Sequence, residues 1–256
     1  MNSTEFIHPT DRALTEKIYA VGAVKTWMDN AFEEGLDDVC RYVYSASCPE
    51  ETAPVVRGQM DRACGLFGLK PGVPVYRRRS YEYDVACVGY GAPGVVVSSA
   101  LLDRGDQTII AGRLGAAAGS IAAGHPKLSF LLWTVESMSG AIPIPFLNEA
   151  LLALLYQWNR VRVFTQDRAF LTAARDYELA LKNILYGVIP FDILERMSFS
   201  ERDGDFLGQV ERYLNRNSAA QKVGTVFSLF QDYAWLPERY HELQKFYHQW
   251  SEEVCP

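Results

Sequence analysis

The sequence predicts an α+β fold, mostly helical, with one small β-sheet. Apolar residues recur at helical spacing over most of the chain. One stretch, Val73 to Leu102, is instead rich in valine and tyrosine and is punctuated by Gly89, Gly91 and Pro93. The order is therefore helices, a short sheet region, then helices, without the strand–helix alternation of a wound parallel sheet. At 256 residues the chain is long enough to bury one sizeable core. It reads as a single domain, 1–256, with N-terminal helices (1–70), a small sheet and the helix after it (71–130), and C-terminal helices (131–256).

Each element has a local reason. From Asp11 to Ala46 the apolar positions Leu14, Ile18, Val21 and Val24 share one face, behind the start signals Pro9 and Asp11. Pro49 to Leu69 reads as a second helix ending near Gly68. Two or three strands are expected in the valine-rich stretch, Gly94 to Ser99 (GVVVSS) being the clearest. Asp106 to His125 reads as a helix. Asn148 to Gly187 gives one long helix or two, and Asp203–Asn217 and Pro237–Val254 are helical too.

Composition excludes several classes of function. A net charge of −6 leaves no broad basic field for nucleic acid or acidic lipid. The compact basic run Arg77 to Arg79 reads as a solvated loop before a strand. The five cysteines (Cys40, Cys48, Cys64, Cys87 and Cys255) are odd in number and form no C-x-x-C pair, against a disulfide framework or a cysteine-rich zinc module. The polar N-terminus lacks the apolar run of a signal peptide. The most apolar region, Leu128 to Tyr156, is interrupted by Glu136, Pro143, Pro145, Asn148 and Glu149, so no membrane span is expected. These features read as those of a soluble, cytoplasmic protein.

The unusual segment is RLGAAAGSIAAGH, Arg113 to His125. On a helical wheel Ile110, Leu114, Ile121 and Leu128 form an apolar stripe. Gly112, Gly115, Ala116, Gly119, Ser120 and Ala123 lie on the other side. Glycine inside a helix costs roughly 1 kcal/mol relative to alanine. Three of them imply that a backbone or a ligand approaches closely.

With its flanks, Val95 to His125 resembles the zinc metallopeptidases of the HtpX and CAAX prenyl protease class. Those have a strand, a Leu-Leu-Asp turn, and a helix bearing H-E-x-x-H followed by Gly-His. Leu101, Leu102 and Asp103 match the turn; Gly115, Gly119, Gly124 and His125 match the glycines and the trailing histidine. Phe6 to Ile18 looks like the family's first helix. Asp84 to Leu102 resembles its strand pair, with Asp84 where asparagine is usual. Arg162 to Ala173 resembles the segment that supplies the third zinc ligand, with Asp167, Arg168 and Ala169 matching. Trp235 to Trp250 resembles the closing helix: Arg239, Glu242 and Leu243 match, and Tyr233 stands where histidine is usual.

The resemblance implies a zincin-type, mostly helical domain, and the departures from it define the expected function. The zinc histidines fall on Ala116 and Ser120, the catalytic glutamate on Ala117 and the third ligand on Val163. Peptide hydrolysis of this kind needs two imidazoles one turn apart, a third ligand and a carboxylate to deprotonate the bound water. Alanine, alanine, serine and valine supply none of these, so no metal, no cofactor and no catalytic residue is expected. The resemblance then implies a pseudopeptidase that binds a peptide or protein partner. Its cleft would be bordered by the strand Val95, Val96, Val97, Ser98 and Ser99, expected as an open edge, and by Arg113, Gly115, Gly119, His125, Asp167, Arg168 and Arg239. Two alternatives stay open: a small-molecule binder or enzyme of another class reusing the emptied cleft, with Arg113, Ser120, Asp167 and Arg239 as its polar groups, and a structural subunit whose cleft is filled by its own side chains.

Other chemistry is weak. His125 reads as a structural hydrogen-bonding residue and Cys87 as a buried structural thiol. Asp167 and Arg168 read as a structural ion pair. His241 and His248 are two turns apart and cannot share one metal. Gly89 to Gly94 has the glycines of a phosphate loop without its lysine and serine.

Overall fold

The computed structural model describes residues 4–33, 48–89, 93–138, 149–186 and 236–254. The expected helix at Asp203–Asn217 lies outside them, as do Cys40, Cys255, Tyr233 and Tyr90 to Ala92. The described residues are mostly helical and carry one three-stranded sheet, an α+β arrangement.

Helix α1 (Pro9–Tyr19) begins where Pro9 fixes the first turn, and the His8 ring accepts the Thr10 N–H at 3.2 Å. The single long helix expected from Asp11 is divided: α1 stops at Tyr19 and α2 runs Gly22–Glu33. Helix α3 (Pro54–Leu66) has proline in its first turn and is followed by Gly68 at φ +71°. Strands β1 (Val75–Arg78), β2 (Val85–Val88) and β3 (Gly94–Ser98) come next. Arg77 and Arg78 thus belong to β1, not to a loop. Arg77 pairs with Asp103 and Glu51, and Arg78 with Asp84.

Ser98 ends β3 and caps α4 (Ser99–Arg104), its hydroxyl accepting the Leu101 N–H. Asp106 caps α5 (Gln107–Ala122) by accepting the N–H groups of Thr108 and Ile109, both at 2.8 Å. Gly124, at φ +77°, turns the chain directly into α6 (His125–Met138). The long segment after Asn148 forms two helices, α7 (Glu149–Ala174) and α8 (Tyr177–Leu185). They are separated by Arg175 at φ +56° and by Asp176, which caps α8. Helix α9 (Leu236–Val254) closes the described fold.

The strand order is β1-β3-β2, with β1 parallel and β2 antiparallel to β3. β3 is therefore the central strand, and all five of its residues are buried. Two apolar clusters support the structure. One joins α3, the sheet, α5, α8 and α9, with Leu114, Phe170 and Leu243 among its members. The other joins α1, α2, α6 and the first half of α7 around Trp158, Leu131 and Met28. α7 belongs to both: Leu151 to Phe164 enter the second cluster, Ala169 to Leu171 the first. No described helix is long and apolar enough to cross a membrane.

Candidate functional site

The small residues of α5 face α7. A Cβ at Gly115 would lie 2.1 Å from the Ala173 methyl, one at Gly119 2.4 Å from the Ala169 methyl, and one at Gly112 2.5 Å from the Phe170 ring. The glycines are there because α7 occupies their side. The expected open groove beside Gly115 and Gly119 is thereby corrected, since both are buried by the neighbouring helix. Ile110 and Leu114 are buried as well, so α5 is enclosed on both sides rather than amphipathic. Ala116 and Arg113, one turn apart, are only partly buried and mark its more accessible face.

Four of the positions where the resemblance expects zinc chemistry can be traced. Ala117 and Ser120 are buried, and the Gln166 amide donates to the Ser120 hydroxyl at 3.1 Å. Val163, one turn before Gln166 on α7, is buried within the Trp158 cluster, whereas Ala116 borders the Leu114 cluster. The side chains present cannot ligate zinc, and no group of three His, Cys, Asp or Glu among the described residues could hold a metal ion.

The strand assigned to the cleft also needs correction. Val95, Val96, Val97 and Ser98 lie in the middle of the sheet with both edges paired, and Ser99 begins α4. Among the described residues the open edge belongs to β2, which pairs with β3 alone. The outer edge of β1 is covered by the segment at Glu50: Glu51 N–H donates to Val75 O, and Arg77 N–H to Pro49 O, both at 2.8 Å. Ser98 N–H donates to Asp84 O at 2.9 Å. The antiparallel alternation then turns the N–H and C=O groups of Ala86 and Val88 toward β3 and those of Val85 and Cys87 outward. β2 lies beside α5, where the partly buried Cys87 thiol donates to Ala117 O at 3.4 Å. Burial holds that thiol up at about 12, against a smaller opposing effect of Arg162, so it is protonated and unreactive at neutral pH.

Charged candidates form struts rather than a catalytic set. His125 is buried, and its Nε2–H donates to the Asp11 carboxylate at 2.7 Å, the structural role expected of it. Thr165 donates to the same carboxylate and accepts the His8 backbone N–H at 3.0 Å. Burial alone would raise the Asp11 pKa; the bond and charge of His125 and the Thr165 bond outweigh it and lower it. The ion pair expected between Asp167 and Arg168 is corrected: adjacent helical residues point in different directions, and each finds its own partner. Asp167 accepts two hydrogen bonds from Arg239, at 2.9 and 2.7 Å. Arg168 lies 3.9 Å from Glu242, which also accepts from His8 and Lys245. Both bind α9 to α7, and Glu242 adds the N-terminal segment.

The hydrogen bond from His8, then that from Lys245 and the charges of both, outweigh burial and bring the Glu242 carboxyl down to about 2. A carboxyl lowered on folding adds stability that is complete above its unfolded value, near 4.5, and is lost as the pH falls toward 2. Urea melts between pH 6 and pH 2 should show this loss, and Glu242→Gln should flatten it. An unchanged slope in the variant would remove Glu242 from that role.

Arg113 stands apart. Its guanidinium lies 5.8 Å over the Tyr186 ring, which stacks on Tyr83 with ring centroids 6.0 Å apart. Its Nε is buried and has no hydrogen-bond partner among the described residues. Burial, and secondarily the charge of Arg239, lower its pKa to about 10, with Asp84, Tyr186 and Asp167 acting the other way, so it remains cationic at neutral pH. Of the polar groups expected to converge, Arg113, Asp167 and Arg239 are thus electrostatic neighbours, while Ser120 is tied to Gln166. Tyr83, Asp84 and Tyr186 complete this end of the site. Sequence spacing could not reveal the two tyrosines, because they meet across about a hundred residues.

No family model, curated protein or solved structure matches this chain.

Proposed function

We propose that this protein is a metallopeptidase-like scaffold without the zinc chemistry, and that it binds an extended peptide or a protein segment along β2. The observation that carries the binding part is the edge of β2 beside α5, open among the described residues, with the Val85 and Cys87 main-chain groups directed outward. Strand addition needs only such an edge; it requires no metal. The likeness draws support from the residues that match the family in sequence. The matching Asp167 and Arg168 bond to or pair with the matching Arg239 and Glu242, and the matching His125 bonds to Asp11 in the segment that looks like the family's first helix. A chance resemblance gives no reason for its matching residues to be mutual partners.

The test uses the full chain and acetyl-Val-Thr-Val-Thr-Val-amide. Amide hydrogen exchange read by NMR should slow at Val85 and Cys87 when the peptide is added, with Ala86 and Val88 little changed. The purified protein should contain no stoichiometric zinc and leave casein intact. Exchange at Val85 and Cys87 that ignores millimolar peptide would defeat the binding site; one zinc per chain or chelator-sensitive cleavage would defeat the pseudopeptidase assignment.

A further inference from the structure

We infer that Arg113 is a recognition residue for a carboxylate, held at the end of the β2 edge to receive the C-terminus of a peptide lying antiparallel to that strand. The inference rests on the proposed peptide site and names the chemistry its occupant carries. Three observations lead to it. The first is the unsatisfied guanidinium. Among the described residues Arg113 has no side-chain hydrogen bond or ion pair, and its Nε is buried. A buried N–H donor left unpaired is costly, and functional sites are where such donors persist. The nearby carboxylates are engaged elsewhere: Asp84 with Arg78 at 2.7 Å and Asp167 with Arg239 at 2.7 Å.

The second is preorganisation. Tyr83, Tyr186 and Arg113 form a stack contributed by the approach to β2, the end of α8 and the middle of α5. The Tyr186 ring lies 5.8 Å from the guanidinium carbon, and the planar fork of a guanidinium suits the two oxygens of a carboxylate. A lysine in this place would offer a point charge without that geometry.

The third is direction. Tyr83 and Asp84 immediately precede β2, so the stack stands at the Val85 end of the strand. A strand adding antiparallel to β2 runs from Val88 toward Val85 and ends there. Its C-terminal carboxylate would arrive beside Arg113. A parallel strand would bring a cationic N-terminus to the same place, against Arg113. The charge therefore selects the orientation as well as the chemistry.

The experiment compares three peptides on the wild-type protein: acetyl-Val-Thr-Val-Thr-Val as the free acid, the same peptide as the amide, and the amide with glutamate in the last position. Binding is measured by calorimetry, and the Arg113 Nε–H resonance is followed by NMR. The free acid should bind at least ten-fold more tightly than the valine amide and should move the Arg113 resonance. Arg113→Met should abolish the difference and Arg113→Lys should retain part of it; should Arg113→Met fail to fold, the wild-type comparison and the resonance decide. A glutamate amide as tight as the free acid would keep Arg113 as the carboxylate receptor and move the source to a side chain. Equal binding of acid and valine amide, with the resonance unmoved, overturns the inference. If the amide still slows exchange at Val85 and Cys87 in that case, the peptide site stands without it. If the acid moves Arg113 while β2 exchange is untouched, the carboxylate site stands and strand addition fails.

Discussion

Gly115→Val is expected to lower the unfolding free energy by about 3 kcal/mol or more, the upper end of overpacking penalties. The Ala173 methyl lies only 2.1 Å from where the first added carbon would be, and Ala169 O lies 3.3 Å from it. Neither neighbour is the end of a flexible chain that could turn aside. α5 and α7 would have to separate, opening the first apolar cluster, to which both contribute. Gly115→Ala is the sharper comparison. Helix propensity favours alanine by about 1 kcal/mol, yet steric crowding at the seam should reverse the sign and leave a net loss. At Gly58, in the middle of α3, an added methyl would meet only the Arg62 Nη1 within 4 Å, at 3.9 Å. Gly58→Ala should therefore gain up to about 1 kcal/mol. Thermal and urea melts of the three variants decide it; a Gly115→Ala protein as stable as Gly58→Ala would mean that the helices are not in this contact.

Asp11→Ala should cost about 2–6 kcal/mol, since each of two buried donors left without its acceptor costs roughly 1–3 kcal/mol. The carboxylate is 1% exposed and collects the His125 Nε2–H and the Thr165 hydroxyl. Its loss leaves two buried donors without an acceptor, and α1, α6 and α7 lose their common point. Asp11→Asn keeps the shape and one acceptor oxygen, so it should fall between the wild type and alanine. A double-mutant cycle with His125→Gln should report coupling of about 0.5–3 kcal/mol. Additive losses would show that the two side chains act independently despite their 2.7 Å approach.

The fold class was legible because periodicity changes only once, between Val73 and Leu102, and because caps such as Asp106 and breakers such as Gly68 and Gly124 are local signals. The glycines of α5 announced a close approach but not by what; the methyls of Ala169 and Ala173 that fill the space lie some fifty residues later. Strand order was not legible at all. Gly94 to Ser98 is buried throughout because both of its edges are paired, but three valines between a glycine and a serine do not by themselves distinguish a central strand from an open edge. The edge among the described strands, Val85 to Val88, is short and only partly buried. Ion pairs escaped for a related reason. Asp167 and Arg168 are adjacent in sequence, and adjacency on a helix sends their side chains to different partners.

The bond between His8 and Glu242 sets a clock. The two residues are 234 positions apart, and synthesis proceeds at about 5–20 residues per second, so one follows the other from the ribosome by roughly ten to fifty seconds. During that interval α1 can dock on α7 through Asp11, His125 and Thr165, but the Asp167 and Arg168 side chains of α7 await their α9 partners. Until α9 is made, Asp167 and Arg168 lack the Arg239 and Glu242 partners that they have in the finished fold.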